Sequence, residues 1–373
     1  MKVLIVTDYF YPHWTGISKS IYNLVTSLQS KIHFTVLTVN YTGRLKSTET
    51  LKKIKIIRTF STISFSRSKF SLSLFLKAIP LIRSNDVVFI NSPSAHILPI
   101  ALLAKVFKKK LLIFHQGDLI LPNGFLNRII EKIFDISSFI SFSIAHKVAT
   151  YTRDYAEHSR VLKPFLKKFS PLIMPIYLYD SPQGQTIKIL QGLKNQKKIL
   201  FGFGGRFVEE KGFDILFKAI PKVMREIPNA HFIFAGEIKM EYEDFFKKTQ
   251  ALFDRVRQNV TIMGLLDEKE LAYFYKMIDF IVIPSRSDCF PLFQAEAMLA
   301  GKPSIVSDIP GARFLVRQTG FGLVFASEDP RDLVEKLIDA AKNRDRFRLG
   351  QQKVSEILNN TRNAEAIRKY IEE

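Results

Sequence analysis

The sequence predicts an α/β protein built from two domains, each with a parallel sheet, and two observations support this. Short apolar runs that end in a glycine or a polar loop alternate along the chain with amphipathic helical segments, the pattern of βαβ units. The chain has 373 residues, 47% of them hydrophobic, which exceeds one ordinary hydrophobic core and is enough to fill two.

The amino-terminal half begins with a predicted strand over residues 3–7, a loop that reaches Gly16, and a helix over 18–28. Gly16 marks the first crossover, although a plain tight turn explains it nearly as well. A later predicted strand, 111–114, ends just before His115 and Asp118. Ligands of parallel sheets collect beyond the carboxyl ends of the strands, so these two side chains are candidate site residues.

The second half opens with a predicted strand over 199–203, a turn at Gly204-Gly205 and an amphipathic helix. Glycines allow close backbone approach. Arg206 supplies a planar fork and Lys211 a point charge, a pairing suited to a diphosphate. The segment is neither a P-loop nor a dinucleotide-binding fingerprint.

Residues 279–311 predict half of a βαβ unit. An apolar strand leads into a polar loop that holds Asp288, and Pro291 opens a helix that Gly301 closes. Asp288 is placed to reach a polyol, and Glu296 on the second turn to accept hydrogen bonds from vicinal hydroxyls. Taken alone, the two acids are equally well explained as a helix cap and a solvated helix residue.

Together these motifs resemble the family 4 retaining glycosyltransferases, whose GT-B fold has two Rossmann-like domains facing each other across a cleft. The residues that carry the resemblance are Arg206, Lys211 and Gly212 in one motif, and Asp288, Phe290-Pro291, Glu296-Ala297-Met298, Gly301 and Pro303 in the other. Asp288 departs from the family pattern, which has Glu at this position, and its side chain is one methylene shorter.

The resemblance implies a nucleotide-sugar co-substrate, transfer with retention at the anomeric carbon, and no metal or other cofactor. It assigns donor binding to Gly16, Gly205, Arg206, Lys211, Phe290, Leu292 and Glu296. It assigns catalytic positions to His115, Asp118 and Asp288, with His115 and Asp288 orienting sugar hydroxyls from opposite sides. Internal return and covalent double displacement both remain open.

The predicted domains are residues 1–178 on the acceptor side and 179–352 on the donor side. Proline, glycine and serine interrupt the pattern over 171–188, where we place the boundary. By resemblance, a helix over 353–373 crosses back to the first domain.

Charge is uneven, since residues 1–180 hold 25 Lys and Arg against 9 Asp and Glu in a chain of net charge +20. Basic clusters alternate with apolar segments such as residues 60–82, which favours an anionic membrane surface as a partner. Ordinary surface helices are the alternative. Nucleic acid is the rival partner, but no nucleic-acid motif occurs.

The single cysteine, Cys289, excludes an intrachain disulfide and fits a reducing compartment. Met1 leads directly into a predicted strand, and no segment reads as a membrane span. We therefore expect a cytoplasmic protein, peripheral on the inner face of the membrane.

The predicted function is transfer of a sugar to a glycan or lipid-linked acceptor in cell-envelope polysaccharide or glycolipid synthesis. Two alternatives remain open at this point. One is a sugar-nucleotide epimerase or hydrolase on the same fold. The other is a non-catalytic basic protein that binds membrane or nucleic acid.

Overall fold

The computed structural model describes residues 1–65, 68–179, 185–240, 243–347 and 349–373. The chain divides into two compact units, unit 1 with Met1–Pro175 and Asn359–Glu373, and unit 2 with Ile176–Leu358. Part of the predicted linker, residues 180–184, and part of the apolar segment 60–82, residues 66–67, lie outside the described residues. Among the described helices none has the length and apolar content to cross a bilayer.

Unit 1 alternates strands and helices as the sequence predicts. Its elements up to the linker are β1 Lys2–Thr7, α1 Gly16–Leu28, β2 His33–Asn40, β3 Thr48–Leu51, β4 Ile54–Phe60, β5 Ile63–Phe65, β6 Ser68–Phe70, α2 Leu72–Ser84, β7 Val87–Ser92, α3 Ile97–Val106, β8 Lys110–His115, α4 Phe125–Ile144, β9 Lys147–Thr150, α5 Arg153–His158, a 3-10 helix Lys163–Lys168 and β10 Phe169–Pro171.

The main sheet of unit 1 has the order β10-β9-β8-β7-β1-β2-β4-β3, and only the β3–β4 pair is antiparallel. Strands β1, β7 and β8 are almost continuously apolar and buried, as expected for a parallel sheet covered on both faces. The chain order reverses between β1 and β7, which is a switch point where the carboxyl ends of two strands leave a crevice.

Unit 2 starts with α6 and ends with α13. Its elements are α6 Gln185–Asn195, β11 Ile199–Gly204, a 3-10 turn Glu209–Lys211, α7 Phe213–Glu226, β12 Ala230–Ala235, α8 Phe245–Asp254, a 3-10 turn Arg257–Asn259, β13 Val260–Gly264, α9 Glu268–Met277, β14 Phe280–Ile283, α10 Leu292–Leu299, β15 Ser304–Ser307, α11 Pro310–Thr319, β16 Gly322–Phe325, α12 Pro330–Lys342, a 3-10 helix Arg344–Phe347 and α13 Gly350–Ile357.

The sheet of unit 2 is fully parallel, in the order β13-β12-β11-β14-β15-β16. The order reverses between β11 and β14, so the switch point lies where the loops after these two strands begin. The predicted core face of α7 is confirmed, because Phe213, Leu216, Phe217 and Ile220 are all buried.

The carboxy-terminal segment is split. Helix α13 belongs to unit 2, whereas the last helix, α14 Asn360–Glu372, belongs to unit 1. Within unit 1, α14 contacts α1 and buries Ile367, Tyr370 and Ile371, and the ammonium of Lys110 donates to the carbonyl of Ile371 at 2.9 Å.

Candidate functional site

Glycines lie at the carboxyl ends of three neighbouring strands of the unit 2 sheet, β11, β12 and β13. The amide of Gly205 donates to the carbonyl of Ala235 at 2.9 Å, and the amide of Gly236 to that of Gly264 at 2.8 Å. A Cβ on Gly236, whose φ is +155°, would lie 2.0 Å from the carbonyl oxygen of Gly205. The backbones of three neighbouring strand ends therefore approach closely with no side chain between them. Gly205, with a φ of +113°, has open space beside its Cα.

Lys211 lies at this edge and is held by a carboxylate from the loop after β14. Its ammonium nitrogen is 2.5 Å from Oδ2 of Asp288. Burial alone would lower the pKa of Lys211, but the carboxylates of Asp288 and Glu210 outweigh it and raise the pKa above its ordinary value. Lys211 is therefore protonated, and two of its three N–H donors are not used by Asp288.

Arg206 belongs to the same charged cluster. Its guanidinium donates to Oε1 of Glu210 at 3.2 Å, and its charge is close enough to Lys211 to act on the pKa of that ammonium. The two predicted diphosphate ligands thus lie together at the switch point. Two carboxylates, Glu210 and Asp288, offset their charge in the structure.

Arg286, which the sequence analysis missed, ties the two loops together. Its guanidinium makes a bidentate pair with Asp214 at 2.8 and 2.9 Å and also donates to the carbonyl of Glu209. Its own amide donates to the carbonyl of Glu210 at 2.8 Å. The pair lowers the pKa of Asp214, although burial alone would raise it. Arg286 therefore positions the segment that carries Lys211.

Gly212 and Gly311 both pack closely against the backbone of the loop after β14. A Cβ on Gly212 would lie 2.0 Å from the carbonyl oxygen of Pro284, and one on Gly311 would lie 2.0 Å from that of Asp288. The glycine after Lys211 in the sequence motif therefore serves a packing need. It lets the turn press against the end of β14.

Helix α10 begins beside Asp288 with a bare amino terminus. Pro291 is its N-cap and supplies no side-chain hydrogen bond, so the first-turn amides from Leu292 onward are free of side-chain capping. Such amides donate readily to an anion. Leu292 is half-buried and Phe290 is buried, so the Phe290 ring packs in the protein interior.

Glu296 points into the protein rather than into solvent. It is buried, and its Oε2 accepts a hydrogen bond of 2.8 Å from the hydroxyl of Tyr275 in α9, which is also buried. Burial raises the pKa of Tyr275 well above its ordinary value, and the charge of Glu296 adds to this. Tyr275 therefore holds one carboxylate oxygen in place, a contact that nothing in the sequence pattern indicated.

In unit 1, His115 and Asp118 lie together at the end of β8. Nδ1 of His115 is 3.0 Å from the hydroxyl of Ser92 and Nε2 is 3.0 Å from Oδ1 of Asp118. Burial alone would raise the pKa of Asp118, but hydrogen bonds from His115, Ser159 and the Arg160 amide lower it to about 2. Both ring nitrogens of His115 thus have partners within unit 1, and the predicted contact with a sugar stays a prediction.

Gly16 is the first residue of α1, two positions earlier than the predicted helix start. Thr15 and Ser18 form a reciprocal capping box around it, which satisfies the amides of Thr15 and Ser18, and the predicted role of Gly16 in donor binding stays a prediction. Gln116, also missed, donates to the carbonyl of Ile17 at 3.3 Å. The His115 loop and the start of α1 therefore meet at the carboxyl edge of the unit 1 sheet.

Residues 185–363 match the family described as glycosyl transferases group 1. An uncharacterized glycosyltransferase of Methanocaldococcus jannaschii is 26% identical over 92% of this chain and 89% of its own. The alpha-monoglucosyldiacylglycerol synthase of Streptococcus pneumoniae is 22% identical over 91% of this chain and 78% of its own.

Among solved structures, HepE of Anabaena in complex with UDP and glucose superposes with a TM-score of 0.77 at 14% identity, over 100% of this chain and 99% of that one. Sucrose-phosphate synthase of Thermosynechococcus elongatus gives a TM-score of 0.76 at 16% identity, over 99% and 98%. At these identities the likeness shows the fold, which is the predicted GT-B type.

Proposed function

We propose that this glycosyltransferase, whose residues 185–363 match the family of glycosyl transferases group 1, transfers a sugar from a nucleotide-sugar donor with retention at the anomeric carbon. The observation that supports the proposal is the contact of Lys211 with Asp288 at the β11–β14 switch point, in the loop that leads into the uncapped start of α10, with the charge of Arg206 close to Lys211. Two cations and a helix amino terminus at one edge suit a diphosphate.

The chemistry assigned to these groups is stabilisation of the leaving group. As the bond between the anomeric carbon and the diphosphate oxygen breaks, negative charge builds on the diphosphate. Arg206, the two remaining N–H donors of Lys211 and the first-turn amides of α10 then stabilise that charge. In this proposal the transfer needs no metal, so activity is expected to survive EDTA and to gain nothing from Mg²⁺ or Mn²⁺.

Asp288 and Glu296 orient the donor in the proposal. Oδ2 of Asp288 is used by Lys211, which leaves Oδ1 for a sugar hydroxyl. Glu296, fixed by Tyr275, accepts hydrogen bonds from the ribose hydroxyls. We propose that the acceptor attacks from the face that the diphosphate leaves and gives its proton to the departing phosphate oxygen, with His115 and Asp118 shaping the acceptor side.

The proposed acceptor is a glycan or a lipid-linked molecule of the cell envelope. The relative named alpha-monoglucosyldiacylglycerol synthase supports a lipid acceptor, since its sequence aligns with 91% of this chain at 22% identity. The proposed place of the reaction is therefore polysaccharide or glycolipid synthesis.

The donor site is tested by calorimetry with UDP-, GDP- and ADP-sugars. One of them is expected to bind the parent chain, and Arg206→Ala and Lys211→Ala to weaken that binding at least about tenfold, the loss of one charge-assisted contact each. Lys222→Ala, an exposed cation on α7, is the matched control and is expected to bind like the parent. Equal binding by all four proteins would refute the assignment of the site.

The reaction itself is tested with the donor so identified. Proton NMR of the product is expected to show the same anomeric configuration as the donor, and an inverted product would refute retention. Free sugar or an epimerised donor, formed equally with and without added glycan or lipid acceptors, would instead establish the hydrolase or epimerase. A trapped glycosyl-protein adduct would favour double displacement over the proposed path.

A further inference from the structure

We propose that helix α4 of unit 1 lies along the surface of an anionic lipid bilayer and inserts its outer apolar face at the interface. The inference goes beyond the proposed reaction and does not depend on it. Seven large apolar side chains of this one helix are between 38% and 79% exposed. They are Phe125, Leu126, Ile129, Ile133, Ile136, Phe139 and Ile140.

These side chains form one continuous outer face, which we call the α4 stripe. The five aliphatic members recur at alternating spacings of three and four residues and therefore lie on one side of the helix: Leu126, Ile129, Ile133, Ile136 and Ile140. The opposite side already packs on the unit 1 core through Phe134 and Phe142. The core therefore does not account for the stripe, and exposed patches of this kind mark interaction sites.

The two neighbouring helices also expose large apolar side chains. Helix α3 packs against α4 and exposes Leu102 and Val106, and α2 packs against α3 and exposes Leu72 and Leu76. The three helices cover one face of the unit 1 sheet in the order α2, α3, α4. A broad, shallow surface of this type suits a bilayer better than it suits a single peptide.

Charge around the α4 stripe is separated by sign. Arg128 and Lys132 lie on the exposed side of the helix, and neither side chain has an ion pair or hydrogen bond with any described residue. The two acids of α4 face the protein instead. Glu131 accepts a hydrogen bond from the amide of Leu121, and Asp135 pairs with the guanidinium of Arg160 at 3.1 Å.

Further cations stand beside the carboxy-terminal half of the stripe. The ring of Phe139 packs on that of Phe165 in the 3-10 helix Lys163–Lys168, with 5.1 Å between centroids. Lys163 and Lys167 of that helix are exposed. An apolar face flanked by exposed cations is the pattern of a helix that lies in a membrane interface.

The charge also decides between a bilayer and a second copy of this chain. The spacing of the stripe would fit a helix–helix seam, but such a seam would bring the exposed cations beside the stripe, Arg128 and Lys132, close to those of a second copy. Like charges repel each other, whereas anionic headgroups attract them. The structure thus favours an anionic lipid surface as the occupant.

The test is co-sedimentation of the full chain with phosphatidylcholine vesicles that contain or lack phosphatidylglycerol. We expect binding only to the anionic vesicles and release by salt. Ile133→Ser with Ile136→Ser removes the centre of the stripe and is expected to weaken binding at least about tenfold. Arg128→Gln with Lys132→Gln is expected to weaken it by a similar factor and to reduce its salt dependence.

Leu349→Ser is the control, because Leu349 in unit 2 is even more exposed than Ile133 and Ile136, and this variant is expected to leave vesicle binding unchanged. Thermal unfolding of every variant checks that the fold is kept. The proposal is overturned if the parent chain does not bind anionic vesicles, if the stripe variants bind as well as Leu349→Ser does, or if light scattering shows a dimer that Ile133→Ser and Ile136→Ser dissociate.

Discussion

The contact between Tyr275 and Glu296 gives the sharpest prediction. Tyr275→Phe removes one hydroxyl and keeps the ring, so the buried Glu296 carboxylate loses the donor that lies 2.8 Å from its Oε2. A hydrogen bond to a charged group contributes about 1.5–3 kcal/mol, and the loss here is not repaid by solvent because both side chains are buried. We therefore expect the free energy of unfolding of unit 2 to fall by about 2 kcal/mol.

Differential scanning calorimetry measures this loss. For a unit of this size, 1 kcal/mol shifts the melting temperature by about 2–4 °C, so a decrease of about 4–8 °C is expected. Tyr273→Phe is the matched control, since Tyr273 lies on the same helix and its hydroxyl has no hydrogen-bond partner among the described residues. Its expected change is below about 0.5 kcal/mol.

The same variant tests the role proposed for Glu296. If Tyr275 fixes the carboxylate that accepts the ribose hydroxyls, Tyr275→Phe weakens nucleotide-sugar binding about fivefold or more, whereas Tyr273→Phe does not. The predicted loss of stability is refuted if both variants have the melting temperature of the parent. The proposed role of Glu296 alone is refuted if Tyr275→Phe is destabilised yet binds the nucleotide-sugar as tightly as the parent does.

Three further predictions concern pH and backbone packing. Burial, aided by Lys198, lowers the pKa of His231 to about 4, so stability is expected to fall by about 2–3 kcal/mol as pH drops from about 6.5 to 4, and His231→Asn to remove most of that slope in denaturant titrations. Asp118, with its pKa lowered to about 2, contributes about 2 kcal/mol above pH 4 that is lost as pH falls towards 2, and an Asp118→Asn variant whose unfolding keeps the parent's slope in that range would contradict this. Gly236→Ala is expected to cost at least about 3 kcal/mol and to abolish donor binding, because its Cβ meets a carbonyl oxygen at 2.0 Å, whereas Gly192→Ala in α6, with open space around it, is expected to be neutral or stabilising in the same melts.

The alternation of strands and helices was predictable from sequence because parallel strands are apolar throughout and their helices are amphipathic. The strand over 199–203 and the helix after Pro291 are confirmed to within one residue. The grouping of Arg206 with Lys211 also followed from their spacing around a glycine turn. Local chemistry was sufficient in each of these cases.

Contacts between distant segments were not predictable in this way. The pairing of Lys211 with Asp288 joins loops 77 positions apart, and Arg286 and Tyr275 act through partners that only the folded sheet brings near. The α4 stripe was not predicted from the sequence for a different reason. An apolar helix face is ordinarily read as core, and this helix has apolar residues on two opposite faces, of which the core needs one.

The position of α14 has a consequence for biosynthesis. Unit 1 contains both the first residues of the chain and residues 359–373, so its hydrophobic core stays incomplete on the ribosome until all of unit 2 has been translated. We therefore expect unit 2 to reach its native state first. A stop codon before Asn360 removes Ile367 and Ile371 and is expected to destabilise or unfold unit 1, because their loss leaves a cavity in its core.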